Sequence, residues 1–549
     1  MKKTWFLAPL VLASIAFAQQ SAPPPPQAAP PVFRESVEVR VMDLDVVVTD
    51  SQGHSVNDLT RGDFSVKVSG HLVPIDYFSR VDEGTIHAPD LASASPDKVL
   101  DLYKSGGEAF VPRHFLIYVD AGDLSPLTRN HALEQLRDFI TRLGPTDTAR
   151  VVLFDRRPKE LTDWTSSKED LMQAVDKMQK GVGMARLQTE MQTLQTIDST
   201  RSRQSRLWMA RSFTDQVSTE LDTMIKDMRA QLASLTPLPG KKAFLFVAGS
   251  LPSNPGYAMA AYASRTNLGA SATTSPLDSD PRQIGVAIEN LAKAANAEDV
   301  TFYTVDARGL VTEGGTASND DPLYMRGSVS FFARQENQSG LLSLASETGG
   351  LALVNTNDLK GGLARIYRDT STYYAIGVNL SSLPSTTGYQ DVKVEVNRKG
   401  LEVRYRRGYA TRTEDERARD IARAALTTNV AYKSFPVQIK LGPSSKGKKQ
   451  YDQPITVVMP ASALTFLPEG DSAKAGAEIY VGVVDDSGRT SDIGKEEAAF
   501  TEPRAGLAEA VLAYPITLQM RKGNSRIVVN VRDKATGKMA TAKADVRIE

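Results

Sequence analysis

Apolar runs and helical periodicity alternate through the central part of the chain. The run 115–119 contains only Phe, Leu, Ile, Tyr and Val, as expected for a parallel strand that is buried on both faces. The acidic stretch 120–125 follows it, and apolar residues then recur three and four positions apart over 132–143. Strand, loop and helix in this order predict the first unit of a parallel α/β sheet.

The same alternation continues to residue 370 and predicts a Rossmann-like, doubly wound, mainly parallel sheet with right-handed crossovers. The predicted strands are Phe115–Val119, Ala149–Phe154, Ala243–Ala248, Val300–Val305 and Leu351–Val354. The predicted helices are Thr128–Leu143, Lys168–Lys180, a long helix that ends near Leu235, Arg282–Ala297 and Gly340–Thr348. Ligands bind beyond the carboxyl ends of the strands in such sheets, so the loop 120–125 is the first candidate site.

Two insertions interrupt this alternation. The first is the helical segment 181–212, followed by an apolar stripe that we expect to pack on the sheet. The stripe consists of Phe213, Val217, Leu221, Met224, Met228, Leu232 and Leu235. The alternative is that the upstream part, residues 189–209, projects and holds a partner. The second insertion, 253–281, is rich in Ala, Ser, Thr and Pro and predicts a long surface loop.

Segments with a period-two apolar pattern flank the α/β domain, which we place at 111–370. Residues 33–82 predict an N-terminal β module that is too short for an independent core. Residues 371–410 predict a β-hairpin region, which we expect to complete that module as one discontinuous β-sandwich. A connecting helix at 412–427 and a C-terminal β-sandwich at 431–549 follow. The predicted architecture is therefore an α/β domain flanked by β-sandwich modules.

The N-terminus has the pattern of a secretory signal peptide, residues 1–18. Lys2 and Lys3 precede an apolar run that ends just before Gln19, and this run is shorter than the roughly 20 residues that span a membrane. Cleavage after residue 18 would leave a proline-rich linker, 19–32. No later segment is apolar enough for a transmembrane helix. We therefore expect an exported chain in the periplasm, at the cell surface or outside the cell.

Composition argues against several classes of function. The 549 residues include 65 Lys and Arg and 65 Asp and Glu, so no overall field favours nucleic acid, and we expect no nucleic-acid partner. The absence of cysteine excludes disulfides and a cysteine nucleophile. The five histidines show no metal spacing, and no nucleophile can be matched with a base. These observations predict a protein that is not an enzyme.

Six segments in a fixed order, after the signal and the linker, carry a resemblance to a known family. They are VVVTDSQGHSVNDLTRGDFSV (46–66), RHFLIYVDAGDLS (113–125), GKKAFLFVAGSLP (240–252), DVTFYTVDARGL (299–310), LASETGGLAL (344–353) and LEVRYRRGYA (401–410). Over roughly residues 33–410, the chain resembles the acidobacterial VWFA-related proteins, which are secreted and carry a von Willebrand factor A-like (VWA-like) domain. The resemblance implies a six-stranded Rossmann-like sheet and a role in binding or adhesion.

The resemblance also implies a metal-ion-dependent adhesion site (MIDAS). Such sites usually have D-x-S-x-S after the first strand, completed by a threonine and an aspartate on later loops, and these oxygen ligands suit Mg²⁺. Asp120 has the first position, but Gly122 and Leu124 replace the two serines. Asp123 and Ser125 offer oxygen atoms in a displaced geometry. The predicted metal residues are therefore Asp120, Asp123 and Ser125, for Mg²⁺ or another divalent cation.

The later motif positions leave an alternative open. The chain has Gly249 and Ser250 where the later aspartate is expected, and Thr189 and Thr193 are candidates for the threonine on spacing alone. The alternative is a degenerate MIDAS without any cofactor, in which Asp120 caps the following helix or accepts hydrogen bonds from loop amides. Further along, Asp306 is expected to form a structural ion pair with Arg308.

Two classes of function agree with these observations. The leading prediction is a secreted, non-catalytic VWA-like protein that binds a protein partner, or acts in adhesion, through the loops at the carboxyl edge of its sheet. The alternative is a cell-envelope scaffold or assembly factor that binds through its β modules without metal.

Overall fold

The computed structural model describes most of the chain from residue 41 onward. The described residues are 41–87, 90–91, 109–180, 183–236, 238–264, 284–310, 323, 329–380, 383, 388–411, 413–427, 434–447, 450–486 and 489–548. The predicted signal peptide 1–18, the linker 19–32 and the start of the N-terminal module lie outside these residues.

The first strands of the described chain belong to two antiparallel sheets. They are β1 (Val41–Thr49), β2 (Phe64–Val68), β3 (His71–Val73), β4 (Ile75–Asp82), β5 (Thr85–Ile86), β6 (Asp90–Leu91) and β7 (Ala109–Phe110). β2 pairs with β3, whereas β4 pairs with β5 and β6. Both sheets are completed by strands that follow the α/β domain.

The α/β domain contains a six-stranded sheet. Its strands are β8 (Arg113–Asp120), β9 (Thr148–Asp155), β10 (Arg157–Glu160), β11 (Lys241–Ala248), β12 (Val300–Asp306) and β13 (Ala352–Leu353). The strand order is β10-β9-β8-β11-β12-β13, and every pair is parallel except the one that β10 makes at the edge. This is the 3-2-1-4-5-6 order of doubly wound Rossmann-like sheets, with an antiparallel edge strand.

Helices cover both faces of this sheet. They are α1 (Pro126–Arg142), α2 (Lys168–Lys180), α3 (Ala185–Ser199), α4 (Arg203–Leu235), α5 (Tyr257–Ala263), α6 (Ile284–Ala297), α7 (Ser330–Thr348) and α8 (Leu359–Ser371). Leu116 and Tyr118 of β8 pack with α4 and α6 on one face, whereas Phe115 and Ile117 pack with α1, α2 and α8 on the other. All of β8 is buried, which confirms that it lies inside a parallel sheet.

The first insertion packs against the domain. All seven apolar residues of the predicted stripe on α4 are buried in the core on one face of the sheet, which confirms that interpretation. Leu194 and Ile197 of α3 belong to the same core. The segment 189–209 therefore does not simply project from the domain.

Three helices differ from the sequence predictions. α5 lies within 253–281, where the composition predicts a surface loop, and its alanine-rich sequence is instead buried. α7 begins at Ser330 rather than at Gly340. Its first turns lack an apolar stripe, so the sequence pattern does not indicate a helix there. α8 is not predicted at all, since its short amphipathic pattern adjoins the next strand.

Strands after the α/β domain enter the two N-terminal sheets. They are β14 (Tyr373–Asn379), β15 (Gly388–Val396), β16 (Glu402–Arg404) and β17 (Gly408–Thr411). β14 lies between β1 and β4, and β15 lies between β2 and β17. Side chains from both sheets, including Phe64, Phe78 and Tyr374, form one core. The predicted domain boundaries stay predictions.

Residues 371–410 do not form the predicted β-hairpin. β15 pairs with β2 and β17, whereas β16 pairs with β1 in the other sheet. The chain therefore crosses between the two sheets after β15. The physical reason is burial: Val394 of β15 and Val403 of β16 both pack against the shared core, but from different sheets.

The C-terminal part begins with α9 (Glu414–Thr427) and continues with two further sheets. Its strands are β18 (Gln438–Leu441), β19 (Ser445–Lys446), β20 (Tyr451–Pro460), β21 (Leu467–Glu469), β22 (Ser472–Asp485), β23 (Gly494–Pro503), β24 (Val511–Met520), β25 (Gly523–Asp533) and β26 (Met539–Ile548). β20 pairs with β18, β19 and β24, whereas β22 pairs with β21, β23 and β25. The two sheets share one apolar core. Within the described part of the chain, no helix combines the length and apolarity needed to cross a membrane.

Candidate functional site

The order of the central sheet reverses between β8 and β11. Ligands of doubly wound sheets bind at this switch point, beyond the carboxyl ends of the strands. β8 ends at Asp120 and β11 at Ala248, so the loops that follow them flank the switch point. Asp123 joins the two loops, because its carboxylate accepts hydrogen bonds from the Gly249 amide at 3.2 Å and from the Ser250 hydroxyl.

A buried arginine from the first insertion lies at this switch point. Arg186, at the start of α3, places Nη2 3.0 Å from Asp120 Oδ2 and 2.9 Å from Glu220 Oε1. Its Nη1 lies 3.4 Å from Asp123 Oδ2. Arg186 is 5% exposed and Asp120 is 0% exposed. We call Asp120, Asp123, Arg186 and Glu220 the Arg186 cluster; one guanidinium in it joins the β8 loop, α3 and α4.

Main-chain hydrogen bonds hold the start of α3 against the β8 loop. The Met184 amide donates to Ala121 O at 3.0 Å, and the Arg186 amide donates to Gly122 O at 2.8 Å. Glycine permits this approach on both sides. A Cβ at Gly122 would lie 2.9 Å from Arg186 Nη2, and a Cβ at Gly183 would lie 2.7 Å from Ala121 O. A side chain at either position would clash with these atoms, so the burial of Arg186 depends on glycine at both positions.

Burial and charge act on the cluster in opposite directions. Burial raises the pKa of Asp120 to about 6; the Arg186 guanidinium opposes this, and the Asp123 carboxylate adds to it. Burial lowers the pKa of Arg186, but attraction by Asp120, Asp123 and Glu220 outweighs it, so that pKa lies above its usual range. Arg186 is therefore a cation in this cluster.

Asp120 accepts a hydrogen bond from a loop amide, one of the two roles in the metal-free alternative, whereas Ser125 rather than Asp120 caps the following helix. Asp120 Oδ1 accepts a hydrogen bond from the Gly122 amide at 2.9 Å. Ser125 is the N-cap of α1, and its hydroxyl oxygen accepts a hydrogen bond from the Thr128 amide at 3.2 Å. With Asp123 bonded to the β11 loop, each of the three predicted metal residues already has protein partners.

The donor set does not fit the Mg²⁺ site that the resemblance implies. A divalent cation beside Asp120 and Asp123 would lie next to the buried Arg186 guanidinium, and two positive charges repel strongly in such surroundings. Leu124, in the second serine position, is buried in the apolar core. In the described residues, no group of three or more His, Cys, Asp or Glu side chains is arranged to hold a metal ion.

The other candidate residues from the sequence, Thr189, Thr193, Asp306 and Arg308, make their hydrogen bonds outside the Arg186 cluster. The hydroxyls of Thr189 and Thr193 donate to the carbonyl oxygens of Ala185 and Thr189 at 2.9 and 2.7 Å, inside α3. Arg308 pairs with Asp306 through Nε–Oδ1 and Nη2–Oδ2 contacts of 3.0 Å each. This confirms the predicted ion pair.

Neither a family model nor a curated protein matches the chain. Solved structures that are similar to it include the vWF domain of the type V pili tip protein Mfa5 from Porphyromonas gingivalis, with 11% identity, 47% of this chain and 94% of that chain covered, and a TM-score of 0.24. A von Willebrand factor type A structure from Catenulispora acidiphila has 10% identity, 87% and 74% coverage, and a TM-score of 0.22. Proximal thread matrix protein 1 from the mussel byssus has 10% identity, 48% and 47% coverage, and a TM-score of 0.23. This chain thus spans about half the length of the mussel protein. The strand order of the central sheet defines its Rossmann-like fold.

Sequence reasoning misses Arg186 and Glu220, although they complete the cluster. Arg186 follows Asp120 by 66 residues, and Glu220 follows Arg186 by 34, so no local spacing relates the three. The available signal is indirect: glycine replaces serine at position 122, and Gly183 precedes the arginine in the insertion.

An open groove of about 390 Å³ lies at the same edge of the sheet, where α1 and α3 begin. It is lined by Ser125, Pro126, Leu127, Met184, Leu187 and Met191, and we call it the edge groove. Leu127, one of the lining residues, is 64% exposed. Methionine side chains are flexible and polarizable, and adapt to varied apolar partners.

Proposed function

We propose that this chain is an exported, non-catalytic VWA-like protein that binds a protein partner through the loops at the carboxyl edge of its central sheet. The observation that carries the proposal is the edge groove, because it presents exposed apolar surface at the end of the sheet where such folds bind ligands. Export is inferred from the signal pattern of residues 1–18. An apolar side chain of a protein partner fits Leu127 and the methionines better than a polar metabolite does.

The bonding of the edge residues favours binding over catalysis. The carboxylate of Asp120 is buried and paired with Arg186, and the hydroxyl of Ser250 donates to Asp123. His114, the buried histidine of β8, lies at the amino end of that strand, where its ring nitrogens contact Thr148 Oγ1 at 2.7 Å and Pro239 O. The Ser250 hydroxyl is therefore bonded to a carboxylate, that of Asp123, which also pairs with Arg186, and this bonding joins the two edge loops.

A second candidate function is the cell-envelope scaffold or assembly factor that binds through the β modules without metal. Exposed apolar side chains on separate strands favour it: Leu72 on β3, Phe110 on β7, Leu467 on β21 and Val511 on β24. Single exposed apolar residues are common on protein surfaces, whereas the edge groove brings several together. We therefore rank the scaffold function second.

Leu127→Asp tests the proposal. A carboxylate in the edge groove would be desolvated by a bound partner, so we expect partner affinity to fall about tenfold or more. The measurement has two steps. The immobilised mature chain captures envelope and culture-medium proteins, and the affinity of each purified candidate is then compared between wild type and variant by biolayer interferometry.

Leu72→Asp is the matched control, because Leu72 is 68% exposed on β3 and the substitution adds the same charge. Weaker binding in Leu127→Asp alone supports the edge groove as the binding surface. Weaker binding in Leu72→Asp alone supports the scaffold function. Unchanged affinity in both variants contradicts the proposed surfaces.

A further inference from the structure

We infer that the Arg186 guanidinium replaces a bound metal ion at the switch point of the sheet. In this account the first insertion supplies an internal cation that holds the edge loops together, so the edge needs no divalent ion. In the wild-type geometry, Asp120, Asp123 and Glu220 are not arranged as a metal site. Removing the guanidinium would free these three carboxylates to close around a cation. The inference concerns the site itself and does not depend on the proposed function.

The convergence of charges supports this assignment. Asp120 and Glu220 lie 3.0 and 2.9 Å from one guanidinium nitrogen, and Asp123 lies 3.4 Å from the other. Three carboxylates around a buried centre repel one another unless a cation lies between them. The cation between them here is a side chain of the same chain.

The geometry at Gly122 connects the arginine with the altered motif. A Cβ at this position would lie 2.9 Å from Arg186 Nη2 and 3.0 Å from Glu220 Oε1. A serine in the first serine position of the motif would therefore compete with Arg186 for the same space. Glycine at position 122 and the buried arginine therefore belong together, because a serine there would not leave room for the guanidinium.

An internal guanidinium differs from a metal ion in how it meets a partner. A metal ion with an open coordination position accepts a carboxylate from a partner as a ligand. Arg186 is 5% exposed; its Nη2 is hydrogen-bonded to Asp120 and Glu220, and its Nη1 lies 3.4 Å from Asp123, so the guanidinium is buried away from a partner's carboxylate. If the proposed function holds, partner binding at this edge is insensitive to chelators.

Mn²⁺ binding to the wild-type chain and to Arg186→Ala tests the inference. We expect the wild type to bind no stoichiometric Mn²⁺ by calorimetry, and its Tm to be equal in Mn²⁺ and in EDTA. In Arg186→Ala, the three carboxylates lose their cation, so the Tm in EDTA falls. Mn²⁺ is then expected to bind with one-to-one stoichiometry and to restore part of the lost Tm.

Arg113→Ala is the matched control. Arg113 is 6% exposed at the amino end of β8, and its ion pair joins a single carboxylate, that of Asp147. We expect its Tm to fall without any recovery in Mn²⁺. Stoichiometric Mn²⁺ binding by the wild type would overturn the inference. A Tm of Arg186→Ala that Mn²⁺ raises no more than that of Arg113→Ala would overturn it too.

If Arg186→Ala does not fold, the same measurements are made on Arg186→Gln. Glutamine removes the positive charge but keeps a hydrogen-bond donor for the carboxylates. The expected and contradicting results in Mn²⁺ are the same. These measurements need no partner protein. A failure of the proposed binding function in the Leu127→Asp experiment is therefore distinguishable from a failure of this inference.

Discussion

Replacing Asp227 by asparagine is expected to raise the free energy of unfolding at neutral pH by about 3 kcal/mol. Asp227 lies on α4, is 9% exposed, and accepts a hydrogen bond from the Tyr118 hydroxyl at 2.9 Å. Burial raises the pKa of this carboxyl from 3.8 to about 6, and the hydrogen bonds from Tyr118 and Gln231 oppose the rise. Ionising it therefore costs more in the folded chain than in the unfolded one, and asparagine avoids that cost while keeping an acceptor.

The sign of the pH dependence follows from the direction of this shift. Because the pKa of Asp227 is higher in the folded state, the folded chain binds more protons than the unfolded chain between about pH 4 and pH 6. The contribution of Asp227 to the stability of the wild type therefore becomes less favourable as the pH rises through this window. Asp227→Asn does not lose that contribution, so its advantage grows from near zero at about pH 4 to its full value above about pH 6.

Urea unfolding over a pH series measures this difference. The titration of Asp120 is present in both proteins and cancels when their free energies of unfolding are subtracted. Asp222→Asn on the same helix is the matched control, since Asp222 is partly exposed and pairs with Lys226 at 2.7 Å. Its effect is expected to stay within about 0.5 kcal/mol. If the stability gain from Asp227→Asn were absent or did not change with pH, the pKa of the buried carboxyl would not be raised in the folded chain.

Asp227 and Glu220 show how α4 is attached to the strand that carries the site. They are seven residues apart, two turns of helix, and therefore lie on the same face of α4. Their counterparts on β8, Tyr118 and Asp120, are two residues apart and point to the same face of the strand. Asp227 bonds to Tyr118 directly, whereas Glu220 reaches Asp120 through Arg186. The same helix face thus secures both the core of β8 and its functional end.

The central sheet is largely predictable because its strands are buried on both faces. β8 and β11 contain continuous apolar runs, and β9 and β12 are mainly apolar, interrupted by Arg150 in β9 and by threonines in β12. Burial of nearly a whole strand leaves a strong signal in the sequence. β10 gives no such signal, because its sequence RPKE alternates between exposed and half-buried positions at the sheet edge. Pairing with β9, rather than its own side chains, makes it a strand.

The candidate site is predictable in place but not in content. A parallel strand directs its carboxyl end towards the ligand edge, so Asp120 and the loop after it can be located from the pattern alone. Arg186 cannot be assigned to the site in this way. In the sequence, an arginine of a long insertion looks the same whether it is buried or lies on the surface. Only the folded chain brings it to Asp120 and Glu220.

Serine at position 122 is expected to lower the free energy of unfolding by about 3 kcal/mol in the wild type but by only about 1 kcal/mol in Arg186→Ala. The backbone of Gly122 does not have a positive φ, so the obstacle to a side chain is space rather than backbone strain. In the wild type, the new Cβ meets the Arg186 and Glu220 side chains in a buried cluster. Without the guanidinium, the closest of these contacts is removed, and the Glu220 carboxylate at 3.0 Å is no longer held in place by Arg186.

A double-mutant cycle of Gly122→Ser and Arg186→Ala, measured by urea unfolding, gives the coupling directly, and we expect about 2 kcal/mol. Gly62→Ser is the control in both backgrounds, because the nearest atom to its new Cβ would be Thr60 Oγ1 at 3.9 Å. That substitution should be nearly neutral and additive with Arg186→Ala. If Gly122→Ser were additive as well, the serine and the arginine would not compete for one place. The internal cation would then have to be explained without the altered motif.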